Sequence, residues 1–146
     1  MAGTGVIGRW AIAVATVALL AACSTDPGTT ARPGSVTYTR SGGLAGERTE
    51  LTVTADGAAT LESRVGSRHV AWTRQLPDAE TAQLGAALMA ADLDSLQSGY
   101  TPKRPCNDCF VDTVAYGGRS VTVEGDAAPA ELADVLGLLR PLADAE

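Results

Sequence analysis

Hydrophobic and polar residues alternate along four stretches in the first half of the chain. Val36 to Arg40 and Arg48 to Ala55 have the two-residue period of half-buried strands, and a glycine-rich segment separates them. Asp56-Gly57 is a strong turn signal, and a second alternating pair, Leu61 to Val65 and Arg68 to Gln75, follows it. The pattern predicts two hairpins, and therefore four strands.

Two later stretches have a helical period instead. Pro77 suits a first helical turn, and the apolar residues after it recur on one face, so we predict a helix that ends before Ser98-Gly99. Pro129 opens a closing helix in the same way. The apolar stripe of this closing helix consists of Leu132, Val135, Leu136, Leu139 and Leu142.

A third hairpin is predicted between the two helices. Gly117-Gly118 joins Phe110 to Tyr116 with Arg119 to Glu124, and a two-residue loop places Val114 opposite Val121. One face of this hairpin would carry Phe110, Val114, Tyr116, Val121 and Val123. The element order is ββββ-α-ββ-α, which predicts an α+β fold, an antiparallel sheet of about six strands with two helices on one face.

Composition narrows the possible functions. The chain has 146 residues, 17 Asp and Glu against 11 Lys and Arg, one histidine and three cysteines. This length excludes a large multidomain enzyme, and the acidic balance argues against nucleic-acid binding. One histidine excludes a multi-histidine zinc site, and three cysteines exclude a four-thiolate one. We expect no metal, no nucleic acid and no small-molecule substrate.

The first residues have the pattern of an export signal. Arg9 precedes an uninterrupted apolar run from Trp10 to Ala22, which is too short to span a hydrocarbon core of about 30 Å. Ser24 to Ser35 is rich in Pro, Gly, Ser and Thr and reads as a flexible tether. We therefore predict a signal peptide at 1–22, a tether at 23–34 and one small domain at 35–146.

The signal ends at Leu20-Ala21-Ala22-Cys23, which resembles the lipobox of bacterial lipoproteins. The resemblance implies cleavage before Cys23 and attachment of diacylglycerol and an acyl chain such as palmitate to it. The protein would then be anchored to the cell membrane by lipid, would face the extracytoplasmic side and would need no other cofactor. The alternative is an ordinary secretory signal whose cysteine pairs elsewhere.

With Cys23 acylated, Cys106 and Cys109 remain as a pair in an oxidising compartment, and we predict a disulfide between them. The alternative is a redox motif of thioredoxin type. That motif needs its first cysteine at a helix N-terminus, whereas Pro105 precedes this pair and a strand-like run follows it.

No catalytic constellation emerges. Gly3 to Gly8 matches G-x-G-x-x-G but lies inside the export signal, and it follows no strand. Asp92 and Asp94 lack the further ligands of a calcium loop, and His69 reads as an ordinary strand residue. We expect a protein that is not an enzyme.

The segment from Tyr38 to Gly46 is the most unusual part of the domain. Its glycines are typical of a loop that needs positive φ, but a loop of this kind does not require a leucine at position 44. A leucine at a hairpin tip either folds back under the sheet or projects as an anchor toward a partner's pocket.

In this segment and in three later ones, the chain resembles the emfourin-like inhibitors of thermolysin-like metallopeptidases. The shared features are Tyr-x-Arg-Ser-Gly-Gly-Leu-Ala-Gly at Tyr38 to Gly46, Leu76-Pro77 before Glu80, the Val114 to Val123 hairpin and a leucine-rich closing helix. They cover most of residues 36–142. The lipid anchor and the cysteine pair depart from the family pattern.

The resemblance implies non-covalent occupation of a peptidase cleft. Thermolysin-like enzymes favour a large apolar side chain just after the scissile bond, so Leu44 would enter that pocket. The candidate partner-binding residues are Arg40, Ser41, Gly42, Gly43, Leu44, Ala45 and Gly46. A second candidate surface is Gln75 to Pro77. Two other functions stay open: a structural or assembly lipoprotein of the cell envelope, and a thiol-disulfide enzyme that uses the cysteine pair.

Overall fold

The alternating stretches of the sequence form strands and the helical stretches form helices. The structure, a computed structural model, describes residues 34–145. The strands are β1 (Val36–Gly42), β2 (Glu47–Val53), β3 (Ala58–Val65), β4 (Arg68–Gln75), β5 (Gly99–Tyr100), β6 (Phe110–Tyr116) and β7 (Arg119–Glu124). The helices are α1 (Asp78–Ala91) and α2 (Ala130–Asp144), and a short 3-10 helix, Leu93–Ser95, follows α1. The α+β class is confirmed.

The strands form one sheet in the order β4-β3-β2-β1-β6-β7-β5. The prediction of about six strands in an all-antiparallel sheet was wrong, because β5 pairs parallel to β7 and makes the sheet mixed. The element order therefore becomes ββββ-α-β-ββ-α. β5 has two residues and no alternating pattern, and the Thr122 amide donates to the Ser98 carbonyl at 2.9 Å to attach this segment to β7.

The core lies between one sheet face and the two helices. The strands contribute fully buried side chains such as Tyr38, Leu51, Leu61 and Val114, which alternate with residues of the other face. In α2 the predicted stripe is buried, except that Leu142 is half-buried. α1 ends at Ala91, since Asp92 adopts a left-handed conformation with φ 42°.

One end of the sheet gathers several chain reversals. The β1–β2 turn, the β3–β4 turn, the first residue of β6 and the last residue of β7 all lie there, as the strand registers require. The C-terminus of α2 also lies there, because Asp144 contacts Arg40 of β1. We call this the tip end. β1 begins at the opposite end, about 20 Å away at the usual rise per strand residue.

Several predictions fall on residues that the structure does not describe. The signal peptide at 1–22, Cys23 and the tether up to residue 33 lie outside the described residues. Within residues 34–145, none of the helices has the length and apolar character needed to cross a bilayer.

Candidate binding surface

The β1–β2 turn projects Leu44 into solvent. Gly42, Gly43 and Gly46 have φ values of 124°, 68° and 62°, which side chains with a Cβ rarely adopt. The Gly46 amide donates to the Gly43 carbonyl at 3.2 Å and closes the turn around Leu44 and Ala45. Leu44 is 90% exposed. Of the two orientations that the sequence allowed, the side chain adopts the projecting one.

The turn rests on the start of β6. Gly42 pairs with Phe110, and a Cβ on Gly42 would lie only 2.4 Å from the Cys109 carbonyl oxygen. A Cβ on Gly43 would lie 3.0 Å from the nearest atom of the Phe110 ring. The two glycines therefore allow the turn to approach the backbone of Cys109 and the ring of Phe110 closely. We call residues 42–46 the tip.

The predicted disulfide is present and lies directly beneath the tip. Cys106 and Cys109 are joined, with their Cα atoms 5.5 Å apart. On the far side of this loop, a Cβ on Gly125 would lie 2.9 Å from the Cys109 sulfur, and the Gly125 amide donates to the Phe110 carbonyl at 2.8 Å. The cysteine loop is thus held between the end of β1 and the residue after β7. Neither cysteine lies in a helix.

Arg40 supports the tip from the core side. Its guanidinium carbon lies 3.9 Å from the centroid of the Phe110 ring, and its Nη1 donates to Asp144 at 3.3 Å. The side chain is 19% exposed, and its buried Nε has no hydrogen-bond partner among the described residues. Arg40 therefore faces α2, although we predicted it as a partner-binding residue together with Leu44.

A buried carboxylate that we did not predict from the sequence organises the same region. Asp112 is 3% exposed. Its Oδ1 accepts a hydrogen bond of 2.7 Å from the Tyr38 hydroxyl, and its Oδ2 accepts one of 3.0 Å from Arg140 Nε. Asp112 lies on the core face of β6, between Phe110 and Val114. The sequence signal for this buried carboxylate was an acidic residue at a position where the alternating pattern calls for an apolar one.

This network shifts two pKa values. Burial, together with the hydrogen bond from the hydroxyl to Asp112 and the charge of that carboxylate, raises the pKa of Tyr38 well above its ordinary range. Burial alone would lower the pKa of Arg140, but its hydrogen bonds and its attraction to Asp112 outweigh this and raise the pKa. Tyr38 therefore stays protonated and Arg140 charged under ordinary conditions. Tyr38 and Arg40, two side chains of the Tyr-x-Arg motif, serve the fold beneath the tip.

The other predicted residues divide between the two ends of the sheet. Ser41, Ala45 and Gly46 are exposed at the tip end with Leu44. The second candidate surface, 75–77, lies at the opposite end, and Leu76 is buried there. The structure does not bring these two candidate surfaces together.

A groove of about 250 Å³ adjoins the tip end, between the β3–β4 hairpin and the end of α2. Its apolar wall includes Val65 and Ala143, and its polar lining includes Glu47, Arg68 and Asp144. Val65 is itself exposed. The tip end therefore presents Leu44 next to a second, partly apolar surface.

The described residues hold no group of three side chains that could bind a metal ion. His69 is exposed on the edge strand β4. What the arrangement offers chemically is a projecting aliphatic side chain on an ordered turn, which is suited to binding.

Comparison of the sequence with protein-family models finds no matching family. No curated protein matches it either. The resemblances to the lipobox and to the metallopeptidase inhibitors therefore stay predictions from the sequence.

Proposed function

We propose that this protein is a lipid-anchored, extracytoplasmic binding module that inhibits thermolysin-like metallopeptidases with its tip. The observation that carries the proposal is Leu44, 90% exposed on a glycine turn whose base packs against Phe110 and Cys109. A large exposed aliphatic side chain on a supported turn has little to contribute to its own fold. It can contribute to an interface when a partner buries it.

The tip matches what such a peptidase recognises. An enzyme that prefers a large apolar residue after the scissile bond would place Leu44 in its pocket and the Gly43–Leu44 peptide bond at its catalytic centre. Burying a leucine side chain contributes about 1.5–3 kcal/mol. Because the turn is already ordered, it loses little conformational entropy on docking and binds better than a flexible peptide of the same sequence.

The anchor proposed at Cys23 fits this role. A diacylated or triacylated cysteine holds a protein stably at a membrane. The tether proposed at residues 23–34 would link this cysteine to the domain. The chain joins β1 at the end of the sheet opposite the tip. Leu44 would therefore remain accessible to a peptidase that approaches the cell surface.

Inhibition assays with thermolysin test the tip. The exported chain, purified in a mild detergent, is expected to slow hydrolysis of a peptide substrate, and Leu44→Asp is expected to abolish this effect. Leu44→Phe should retain it, because phenylalanine is also large and apolar. Met89→Asp is the matched control, since Met89 is an exposed apolar residue of α1, outside the tip. Digestion of the wild type, or equal inhibition by Leu44→Asp, would refute the proposal.

Fractionation tests the anchor. The wild type is expected in the membrane fraction, with a mass at its N-terminal cysteine that includes the diacylglycerol and acyl groups. Cys23→Ser should lose both the lipid mass and the membrane association. A wild-type chain that carries an unmodified Cys23 thiol would exclude the lipoprotein proposal.

An assembly role in the cell envelope is the second candidate. The observation that favours it is β4, an edge strand of eight residues whose outer side pairs with no described strand. A photo-crosslinking residue at the exposed position 71 would then capture an envelope protein, whereas the same residue at position 44 would capture a peptidase. The two positions distinguish the two functions.

A further inference from the structure

We infer that the Cys106–Cys109 disulfide is the positioning element of the tip, and that it keeps the Gly43–Leu44 bond from being cleaved. The positioning concerns the chain alone, whereas its consequence for cleavage rests on the proposed inhibitory function. The cysteine loop makes close contacts on both of its sides.

On the tip side, the cysteine loop and β1 meet through backbone. The Cys109 carbonyl oxygen lies too close to the position that a Cβ on residue 42 would take, so only glycine permits this approach without a shift of the backbone. Gly42 is also the last residue of β1 and pairs with Phe110. A displacement of Cys109 would therefore act directly on Gly42, the first residue of the tip.

The next residue of the cysteine segment continues the support. The edge of the Phe110 ring packs under Gly43. The Arg40 guanidinium stacks on the face of the same ring, 3.9 Å from its centroid. Arg40 is in turn held by Asp144 at the end of α2. Phe110 is therefore fixed between the tip and α2, and its backbone follows Cys109 without any intervening residue.

On the other side, the disulfide contacts Gly125, the residue that follows β7. Gly125 leaves room for the Cys109 sulfur, and its amide donates to the Phe110 carbonyl at 2.8 Å. The cysteine loop thus lies between two glycines, Gly42 at the end of β1 and Gly125 directly after β7. Since it closes only a few residues, the disulfide constrains the unfolded chain little, and its main effect is local.

The tip needs such external support because its own sequence cannot order it. Three of its five residues are glycines at positive φ, and glycine loses more conformational freedom on ordering than any other residue. Within the turn there is one backbone hydrogen bond, from the Gly46 amide to the Gly43 carbonyl. Without the cysteine loop beneath it, this segment would be a flexible peptide with a leucine after glycine, which is what a thermolysin-like enzyme cleaves.

Backbone ¹⁵N relaxation tests the positioning without any peptidase. In the exported chain, we expect the order parameters of residues 43–46 to fall from about 0.85 to below about 0.6 when Cys106→Ser and Cys109→Ser are combined. The β3–β4 turn at Gly66-Ser67 serves as the internal control and should not change. A role in global stability alone would leave the tip ordered in the folded variant. Unchanged tip order parameters would therefore overturn the proposal.

If the cysteine variant does not fold, variants of Phe110 test the support of the tip instead. Phe110→Ala removes the ring beneath Gly43 and is expected to loosen residues 43–46 in the same way. Phe110→Tyr keeps the ring and should restore the wild-type order parameters. A tip that stays ordered in Phe110→Ala would contradict the proposed support.

Thermolysin digestion tests the consequence. We expect the Cys106→Ser/Cys109→Ser chain to be cut at the Gly43–Leu44 bond at least tenfold faster than the wild type, with no faster cutting near Gly66. Equal cleavage of the two chains would overturn the claim that the disulfide protects this bond. If the wild type does not inhibit thermolysin at all, the proposed function fails, while the order parameters still decide the positioning.

Discussion

The Tyr38 hydroxyl donates a 2.7 Å hydrogen bond to Asp112, a carboxylate that lies 74 positions further along the chain. The bond joins the neighbouring strands β1 and β6 on their core face, and Arg140 of α2 binds the other oxygen of the same carboxylate. Buried Tyr38 and Asp112 and the partly exposed Arg140, from three elements, therefore form one polar network beneath the tip. The contribution of this network to the free energy of unfolding can be measured with single substitutions.

Tyr38→Phe is expected to destabilise the fold by about 1–3 kcal/mol, because it removes a hydrogen bond to a buried charged acceptor. Urea denaturation should show a lower midpoint with an unchanged m-value. Tyr116→Phe is the matched control, since the Tyr116 hydroxyl makes no hydrogen bond with the described residues. Equal midpoints for Tyr38→Phe and the wild type would show that the hydrogen bond contributes nothing net.

Stability is expected to fall at alkaline pH because of Tyr38. Its pKa is raised in the folded state, whereas the unfolded tyrosine titrates near its ordinary value of 10.0. Above that value the unfolded chain loses a proton that the folded chain keeps, so this stabilising contribution decreases by about 1.4 kcal/mol per pH unit. Urea midpoints between about pH 9 and 12 should show this slope in the wild type and a smaller one in Tyr38→Phe. Parallel curves would contradict the linkage.

Gly42→Ala is expected to cost about 3 kcal/mol, because a Cβ would meet the Cys109 carbonyl and alanine would be strained at a φ of 124°. Gly46→Ala separates the two causes. Gly46 also has positive φ but no atom near its missing Cβ, so this variant should cost only about 1 kcal/mol. Thermal or urea denaturation measures both, and equal losses would mean that the contact with Cys109 does not matter.

Pro141→Ala is expected to stabilise the protein by about 1–2 kcal/mol. Pro141 lies inside α2 and lacks the amide that would bond to the Gly137 carbonyl, one turn earlier. Alanine restores this donor and suits a helix interior. Pro129→Ala is the control, because Pro129 precedes the first turn of α2 and no partner is lost there. A lower urea midpoint for Pro141→Ala would show that the proline ring itself contributes to packing.

Leu44→Asp is expected to leave the free energy of unfolding within about 0.5 kcal/mol of the wild type, because the side chain is almost fully exposed. Urea denaturation measures it. This result would separate the loss of binding expected for this variant from a loss of folding. A larger destabilisation would mean that Leu44 packs within the fold.

The local elements were predictable because each has its own period and turn signal. The loop Gly117-Gly118 set the register of its hairpin, and the structure pairs Val114 with Val121 as that loop requires. The disulfide of the cysteine pair was predicted correctly, from the lipid expected on Cys23 and the oxidising compartment that the predicted signal implies. The brief strand β5 was missed, since two residues are too few for any pattern.

The candidate site was only partly predictable. The glycines and Leu44 marked the tip, but the two possible directions of the leucine were equivalent in the sequence. Arg40 supports the tip and lies beside Asp112 only because β1 pairs with β6. That pairing joins segments about 70 positions apart, and no local period encodes it.

The amino-acid sequence by itself determined the six longer strands, the two helices and the composition of the tip, since alternation, helical period and turn residues act over a few neighbouring positions. The tertiary structure alone decided that the cysteine loop lies under the tip and that Leu44 points into solvent. It did so because β1, β6 and β7 lie side by side in the sheet, which brings Gly42, Cys109 and Gly125 close together although they are far apart in the sequence.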